Sequence, residues 1–265
     1  MSHSTEHNSR PEQSATLFIA ASETDSNLYY ATRFIAPDPF IYLEVKGERL
    51  MVMSDLEVDR ARNQATVDRV LSYSELERRA KSQGVKDPGT IDVIHLVLQD
   101  AGLKDILVPP TFPFLHASRL QEMGYRLRTK RDPFYEQRVM KSDDEVRHIE
   151  AAQRATETAV AAAHQHLRRA EIRDNVLWLD GEILTSERVK KLINVALMEC
   201  DCVAQHTIVA GGEQACDPHD EGSGPLPAHR SIIFDVFPRS AETRYFADMS
   251  RTVVRGTPSP DLTPL

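Results

Sequence analysis

The sequence contains no apolar run long enough to cross a membrane. A membrane-spanning helix needs about 20 consecutive apolar residues, whereas the hydrophobic residues, 41% of the 265-residue chain, are spread over its length. The N-terminal segment, residues 1–16, is polar and lacks the apolar core of a signal peptide. The sequence therefore predicts a cytoplasmic protein without a membrane domain.

The sequence also lacks an excess of positive charge. Its 32 basic and 40 acidic residues give a formal net charge of −8. This balance argues against nonspecific binding to nucleic acid or to an anionic membrane surface. The glycine-containing segment 221–225 has neither the glycine spacing nor the lysine of a phosphate-binding loop. Nucleic acid, membrane and nucleotide phosphate are therefore not expected partners.

Cysteine is scarce, with three residues and no spacing typical of a disulfide framework. An odd number of unframed cysteines suits a reducing cytoplasm. Cys200 and Cys202 have the spacing of half a thiolate zinc site, but the sequence contains no second pair. Free thiols are therefore the favoured interpretation.

The order of strand-like and helical segments predicts two domains after a short tail. Residues 1–14 are polar and are expected to form a disordered tail. From 15 to 140, β-branched segments alternate with helical ones, which is typical of an α/β domain. A capping box at Ser142–Glu145 predicts the first turn of a long helix that opens the second domain, 141–265. The apolar stripe of this helix is expected to begin at Val146.

The most informative segment is Ile232–Gly256, which predicts a β-hairpin with one carboxylate on each strand. The polar stretch 238–243 has the chemistry of a connecting turn. If that connector is symmetric, Asp235 pairs with Phe246, and Asp248 is its diagonal neighbour on the same sheet face. Diagonal neighbours lie about 7–8 Å apart. The two carboxylates can then converge on a divalent cation, which removes their mutual repulsion.

A plainer interpretation gives neither aspartate a ligand. Asp235 is then a strand-end residue and Asp248 lies on a solvated face, because the protein surface is the commonest place for aspartate. Against this, an aspartate inside an apolar strand is costly unless it is paired or binds a metal. On the chemistry of the residues alone, both interpretations remain open.

The hairpin resembles the first metal-binding hairpin of the pita-bread metallopeptidases. This superfamily includes methionine aminopeptidase, prolidase, Xaa-Pro aminopeptidase and creatinase. The matching residues are Asp235, then Tyr245 within the hairpin, then Asp248–Thr252, which reads Asp-Met-Ser-Arg-Thr. The spacing between the two aspartates is longer than usual for the family. It is similar to that of a subgroup with a longer turn, which the segment Asp235–Arg239 also resembles.

The first domain carries weaker similarities. Asn27–Tyr30 and Ser54–Ala61 resemble segments of the N-terminal domain of creatinases and prolidases. The resemblance implies an α/β (α+β) chain with a creatinase-type N-terminal α/β domain, followed by the first half of a pita-bread catalytic domain. It also implies hydrolysis of the N-terminal bond of a peptide or dipeptide substrate, of the Xaa-Pro aminopeptidase or prolidase type.

The resemblance also implies the roles of three residues. Asp235 and Asp248 are expected to be metal ligands, and His219 is expected to contact the substrate or to shuttle a proton. The family uses two divalent ions, Mn²⁺ or Co²⁺ with Zn²⁺ as an alternative, to activate a bridging water. A plainer interpretation of His219 is a loop residue bonded to its neighbours Asp217 or Asp220.

The sequence departs from the family after the hairpin. The family supplies a histidine and two glutamates further along, and no residue after Thr252 is a histidine or a glutamate. We therefore expect a catalytic domain that is truncated, binds metal weakly and is inactive on its own. A noncatalytic binding or assembly protein on the same fold is the alternative. An unpaired strand edge and an apolar face further predict self-association, as a homodimer.

Overall fold

The computed structural model describes residues 14–262 and divides the chain into two compact units, with the division between Val139 and Met140. In this described part, no helix is both long and apolar enough to cross a membrane. The first strand begins at Ser14, which the composition had assigned to the tail. The rest of that predicted tail, residues 1–13, lies outside the described residues.

The first unit is a mixed β-sheet with helices packed against it. Its strands are β1 (Ser14–Ala20), β2 (Phe40–Val45), β3 (Glu48–Met53), β4 (Arg69–Ser72), β5 (Asp105–Val108) and β6 (Arg126–Thr129). Its helices are α1 (Ser26–Thr32), α2 (Val58–Gln64), α3 (Tyr73–Ser82), α4 (Thr90–Ala101) and α5 (Phe114–Glu122). A short 3₁₀ turn, Glu136–Val139, ends the unit.

The six strands have the order β4-β3-β2-β1-β5-β6. The β1–β2 and β2–β3 pairs are antiparallel, and a tight turn at Lys46 and Gly47 joins β2 to β3. The other three pairs, β3–β4, β1–β5 and β5–β6, are parallel because helices cross between their strands, as parallel pairing requires. Leu17 and Phe18, adjacent on β1, lie in separate hydrophobic clusters. Both faces of the sheet are therefore buried, which explains its nearly continuous apolar strands.

The second unit combines two long helices with three small sheets. Its helices are α6 (Asp143–Arg169) and α7 (Ser186–Met198). Its strands are β7 (Glu171–Arg173), β8 (Val176–Leu179), β9 (Glu182–Ile183), β10 (Cys202–Val203), β11 (Ile208–Gly211), β12 (Ser231–Val236), β13 (Arg239–Ser240) and β14 (Met249–Val254). The sheets have the orders β7-β8-β9, β10-β13 and β11-β12-β14. Short 3₁₀ turns lie at Gly212–Cys216 and Pro260–Leu262.

The start of α6 confirms the predicted capping box. Ser142 Oγ accepts the backbone N–H of Glu145, and the Ser142 N–H donates to Glu145 Oε2 at 2.9 Å. The expected inward position of Val146 is wrong, since its side chain is 42% exposed while Glu145 is 7% exposed. Glu145 is buried because its other oxygen accepts the hydroxyl of Tyr245, so the carboxylate takes the inward position.

The core of the second unit lies between its helices and one face of the β11-β12-β14 sheet. Alanines such as Ala159 and Ala163 on α6 let the helix approach closely, and Ile193 of α7 packs in the same cluster. From the sheet, Phe234 and Val236 complete this core and are fully buried. The buried face of β12 is therefore fixed by its contact with the helices.

We expect His164 to make the stability of this unit depend on pH. Its ring lies edge-to-face with Phe234, with 5.4 Å between ring centroids. Burial, with the charges of Arg168 and Arg251, lowers the pKa of His164. The unfolded state therefore binds a proton more readily below the ordinary pKa of about 6.5, and the free energy of unfolding falls as the pH is lowered.

This dependence can be measured through Trp178, the single tryptophan, which lies on β8. Urea unfolding followed by its fluorescence should give a free energy that falls between about pH 7 and pH 5.5. A His164→Gln variant should show a smaller fall. Equal slopes in the parent and the variant would mean that His164 is not the group responsible.

Candidate metal centre

The pairing of β12 with both neighbours defines the position of the first predicted ligand. In the antiparallel register of β12 and β14, Asp235 lies opposite Ser250, and Val236 lies opposite Met249. On its other side, Asp235 lies opposite Ile208 of β11. Asp235 is therefore on the central strand of this sheet, near the end where β12 leaves the ladder.

The two faces of this sheet have different environments. Alternate residues of a strand point to opposite faces. Phe234 and Val236 face the helices, whereas Ile233 and Asp235 are only half-buried on the other face. Asp235 thus lies on the sheet face that the helices of this unit leave uncovered.

The second predicted ligand shares that face. Beyond the ladder, Arg239 pairs with Phe246. This pair keeps the register of Val236 with Met249, because Arg239 is three residues after Val236 and Phe246 is three residues before Met249. Asp248 is therefore opposite Phe237 and diagonal to Asp235, at the roughly 7–8 Å typical of such neighbours. The pairing of Asp235 with Phe246, expected from a symmetric connector, is wrong.

The turn lies further along the chain than expected, because Arg239 and Ser240 still pair with β10 and Pro238 lies in the hairpin arm. Proline has no N–H to donate, so the ladder loses one bond opposite Ala247, whose N–H still donates to the Pro238 carbonyl at 3.1 Å. The chain then resumes strand pairing at Arg239 instead of turning. The turn itself falls later, where Arg244 adopts a φ of 64°. The partner of Asp235 shifts from the expected Phe246 to Ser250, an even number of residues, so Asp248 remains on the same sheet face as Asp235.

Asp235 is held by a hydroxyl and borders a cavity. Ser250 donates its hydroxyl to Asp235 Oδ1 at 2.5 Å. A cavity of about 370 Å³ is lined by Asp235, Ser250, Thr252, Asp217 and Pro218 among others. A larger cavity of about 1080 Å³ lies in the same unit. Neither Asp235 nor Asp248 lines it, so it is not the cavity beside the predicted ligands.

Asp248 and His219 are both exposed. Within residues 14–262, the carboxylate of Asp248 has no hydrogen bond or ion pair, and the ring of His219 has none either. The backbone N–H of His219 donates to Asp217 Oδ1 at 2.9 Å. The structure thus brings Asp217, and not the His219 ring, to the cavity beside Asp235.

The donors at this face fit part of a metal centre. Carboxylate and hydroxyl oxygens are ligands for hard divalent cations. No group of three or more His, Cys, Asp or Glu side chains with metal-binding geometry occurs among the described residues. Asp235 and Asp248 can therefore provide two ligands of a cation whose remaining positions are filled by water or by other groups.

The C-x-C segment does not contribute to this face. Cys200 is exposed and Cys202 is buried, and both are free thiols. Burial, followed by the nearby Cys200 and Asp201, raises the pKa of the Cys202 thiol. A raised thiol pKa disfavours the thiolate that zinc binds, which agrees with the interpretation of these residues as free thiols.

Two residues near the carboxylates were not singled out from the sequence. Ser250 was noted only as part of the Asp-Met-Ser-Arg-Thr segment, and Asp217 only as a neighbour of His219. Ser250 could have been found by counting two residues along the strand from Asp248, since alternate residues of a strand share a face. Asp217 carries no such signal, because a loop brings it to the cavity.

Comparison with known proteins identifies the class of fold. Residues 147–264 match the sequence model of metallopeptidase family M24, whereas no curated protein sequence matches the chain. The prolidase from Pyrococcus furiosus superposes with a TM-score of 0.68 at 16% identity, over 93% of this chain and 64% of that one. The Xaa-Pro dipeptidase from Bacillus anthracis gives 0.75 at 15%, over 94% and 62%. The X-Pro aminopeptidase from Thermotoga maritima gives 0.72 at 20%, over 95% and 65%.

The described residues therefore have a mixed α/β architecture that matches part of the fold of these peptidases. Within it, residues 147–264 carry the sequence features of metallopeptidase family M24. Both the resemblance and the mixed α/β fold class predicted from the sequence are confirmed. The chain spans less than two thirds of the length of these solved structures.

Proposed function

We propose that the chain carries part of a centre for metal-dependent hydrolysis of an N-terminal peptide bond of the Xaa-Pro type, and that this part does not cleave the bond without further ligands. The observation that carries this proposal is the common, uncovered sheet face of Asp235 and Asp248, in the unit that matches a metallopeptidase family. The substrate class, a peptide or dipeptide, is taken from the named activities of the similar solved structures. An acidic chain with few cysteines supports a cytoplasmic location.

In this proposal each residue has a separate task. Asp235 and Asp248 hold divalent metal, Mn²⁺ or Co²⁺ with Zn²⁺ as an alternative, and a metal pair supplies an activated water when bound. Ser250 orients Asp235 through its hydroxyl and leaves the second carboxylate oxygen for a ligand bond. His219 contacts the substrate carbonyl or carries a proton from the loop beside the cavity.

A second candidate is a noncatalytic binding or assembly protein on the same fold. The observation that favours it is the small donor set, since the described residues hold no group of three or more metal-binding side chains. The two candidates differ in whether the aspartate pair binds a cation at all.

We expect the chain to bind Mn²⁺ weakly, with a dissociation constant on the order of 10⁻⁴–10⁻³ M, as for other sites with few oxygen ligands. Asp235→Asn and Asp248→Asn should each abolish measurable binding, because each removes one of the two proposed carboxylate ligands. Free Mn²⁺ measured by electron paramagnetic resonance during titration gives the affinity directly.

The matched control is Asp180→Asn, which removes the same charge from an exposed position of the same unit. Asp180 has a φ of 55°, a conformation that asparagine also adopts. The control should bind Mn²⁺ as the parent does. Binding that survives in both aspartate variants would refute the metal centre and favour the noncatalytic candidate.

We also propose that the chain forms a homodimer. Strand β14 is an edge strand in the described β11-β12-β14 sheet, and Phe246 next to it is 57% exposed. Exposed edges of this kind promote pairing with another chain. Sedimentation at micromolar concentration should give about twice the monomer mass of 29.9 kDa, and Thr252→Lys on β14 should shift the chain to the monomer. A monomeric parent that binds no hydrophobic dye would contradict the proposal.

A further inference from the structure

One tyrosine ties the hairpin arm that carries Asp248 to the first turn of α6. Tyr245 donates its hydroxyl to Glu145 Oε1 at 2.6 Å, and its ring lies 5.5 Å from the ring of His148. We propose that Glu145 and Tyr245 are a positioning pair, which fixes this arm and thereby sets the metal affinity of the Asp235–Asp248 centre. The inference rests on the proposed metal-binding role of the two aspartates.

The arm needs such a tie because its own strand pairing is incomplete. Between the pair Val236–Met249 and the pair Arg239–Phe246, Pro238 cannot donate the bond that an ordinary residue would make. Asp248 lies in this stretch, immediately before β14. Loss of a ladder bond leaves the direction of the arm less firmly set by the sheet, so a contact from outside the sheet contributes more to its position.

Glu145 is a rigid anchor for that contact. Its Oε2 accepts both the N–H of Ser142, at 2.9 Å, and the Ser142 hydroxyl, at 3.1 Å. Oε1 is thereby directed to Tyr245, whose hydroxyl it accepts at 2.6 Å. Because Glu145 is buried and belongs to the helix cap, it cannot follow the arm if the arm moves.

The same helix also positions the first ligand. His164 of α6 packs against Phe234, the residue that precedes Asp235 on β12. The N-terminal end of α6 therefore contacts the arm of Asp248, while its C-terminal part contacts the strand of Asp235. A common rigid element holds both carboxylates at a constant separation, which is the requirement for joint coordination of one cation.

The test compares Tyr245→Phe with Thr207→Val. Phenylalanine keeps the ring and removes only the hydroxyl that reaches Glu145. Thr207→Val removes a hydroxyl bond of the same unit, the 2.8 Å bond to Asn194 Oδ1, which does not touch the arm. We expect Tyr245→Phe to weaken Mn²⁺ binding by roughly tenfold, the lower end of the effect of partners that orient ligands, and Thr207→Val to leave it unchanged.

A second measurement does not depend on metal. Hydrogen–deuterium exchange of residues 241–250 should become faster in Tyr245→Phe and not in Thr207→Val. Faster exchange with unchanged Mn²⁺ affinity would overturn the positioning role and leave a purely structural bond. Equal Mn²⁺ losses in the two variants would overturn it as well.

The Asp235→Asn and Asp248→Asn variants separate this inference from the proposed function. If they bind Mn²⁺ as the parent does, the metal centre itself is refuted, and the positioning role falls with it even when exchange in the arm responds to Tyr245→Phe. If they lose binding while Tyr245→Phe does not, the centre stands and only the positioning pair is overturned.

Discussion

Replacement of Phe234 by alanine is expected to lower the free energy of unfolding of the second unit by about 3–5 kcal/mol. Phe234 is fully buried between β12 and the helices, and its ring meets that of His164 edge-to-face. Removal of the ring loses its burial and leaves a cavity that the helix and the sheet can close only in part. Urea unfolding followed by the fluorescence of Trp178 reports this unit alone.

The matched control is Ile233→Ala, one residue earlier on the same strand. Ile233 points to the uncovered face and is only half-buried, so its loss should cost less than about 2 kcal/mol. Similar costs at the two positions would mean that the faces of β12 are not buried as differently as the structure indicates.

The second large effect concerns activity. The 265-residue chain, purified alone and supplied with Mn²⁺ or Co²⁺, is expected to show no measurable cleavage of an Xaa-Pro dipeptide. The described residues provide two carboxylates at the centre, and no larger group of metal-binding side chains accompanies them. Activation of a bridging water requires two metals held at a fixed separation, and two ligands cannot hold both.

The assay includes the prolidase from Pyrococcus furiosus as a positive control and the double variant Asp235→Ala, Asp248→Ala as a negative one. Turnover by the parent that disappears in the double variant would contradict the expectation. In that case, further ligands must come from a second copy of the chain, and activity should rise with the square of the protein concentration as long as most of the chain is monomeric.

Local chemistry allowed much of the second unit to be predicted. The capping box at Ser142 depends on four consecutive residues, and the structure contains it as expected. Asp235 and Asp248 share a face whenever the residue paired with Asp235 is an even number of residues from Asp248. The expected partner, Phe246, and the observed one, Ser250, both meet this condition, so the shared face was predicted although the exact register was not. The metal-ligand and substrate roles of these residues and of His219 remain predictions.

Features that depend on distant contacts were harder to predict. Pro238 has turn chemistry, yet it lies within a hairpin arm, because Arg239 pairs with Val203 of β10. Glu145 displaces Val146 from the inward face because Tyr245, a hundred residues further along the chain, donates to it. Neither partner could be identified from the local sequence pattern.

Asp248 is two residues from Ser250, the partner of Asp235, and this even number limits how the length of the hairpin can vary. As long as the tip of the hairpin keeps its conformation, residues must be inserted or deleted in pairs, one on each arm. A single-residue deletion would rotate one carboxylate into the helix-packed layer, unless a β-bulge absorbed the change. A longer spacing between the two aspartates is therefore compatible with a shared sheet face, provided that the added residues are an even number.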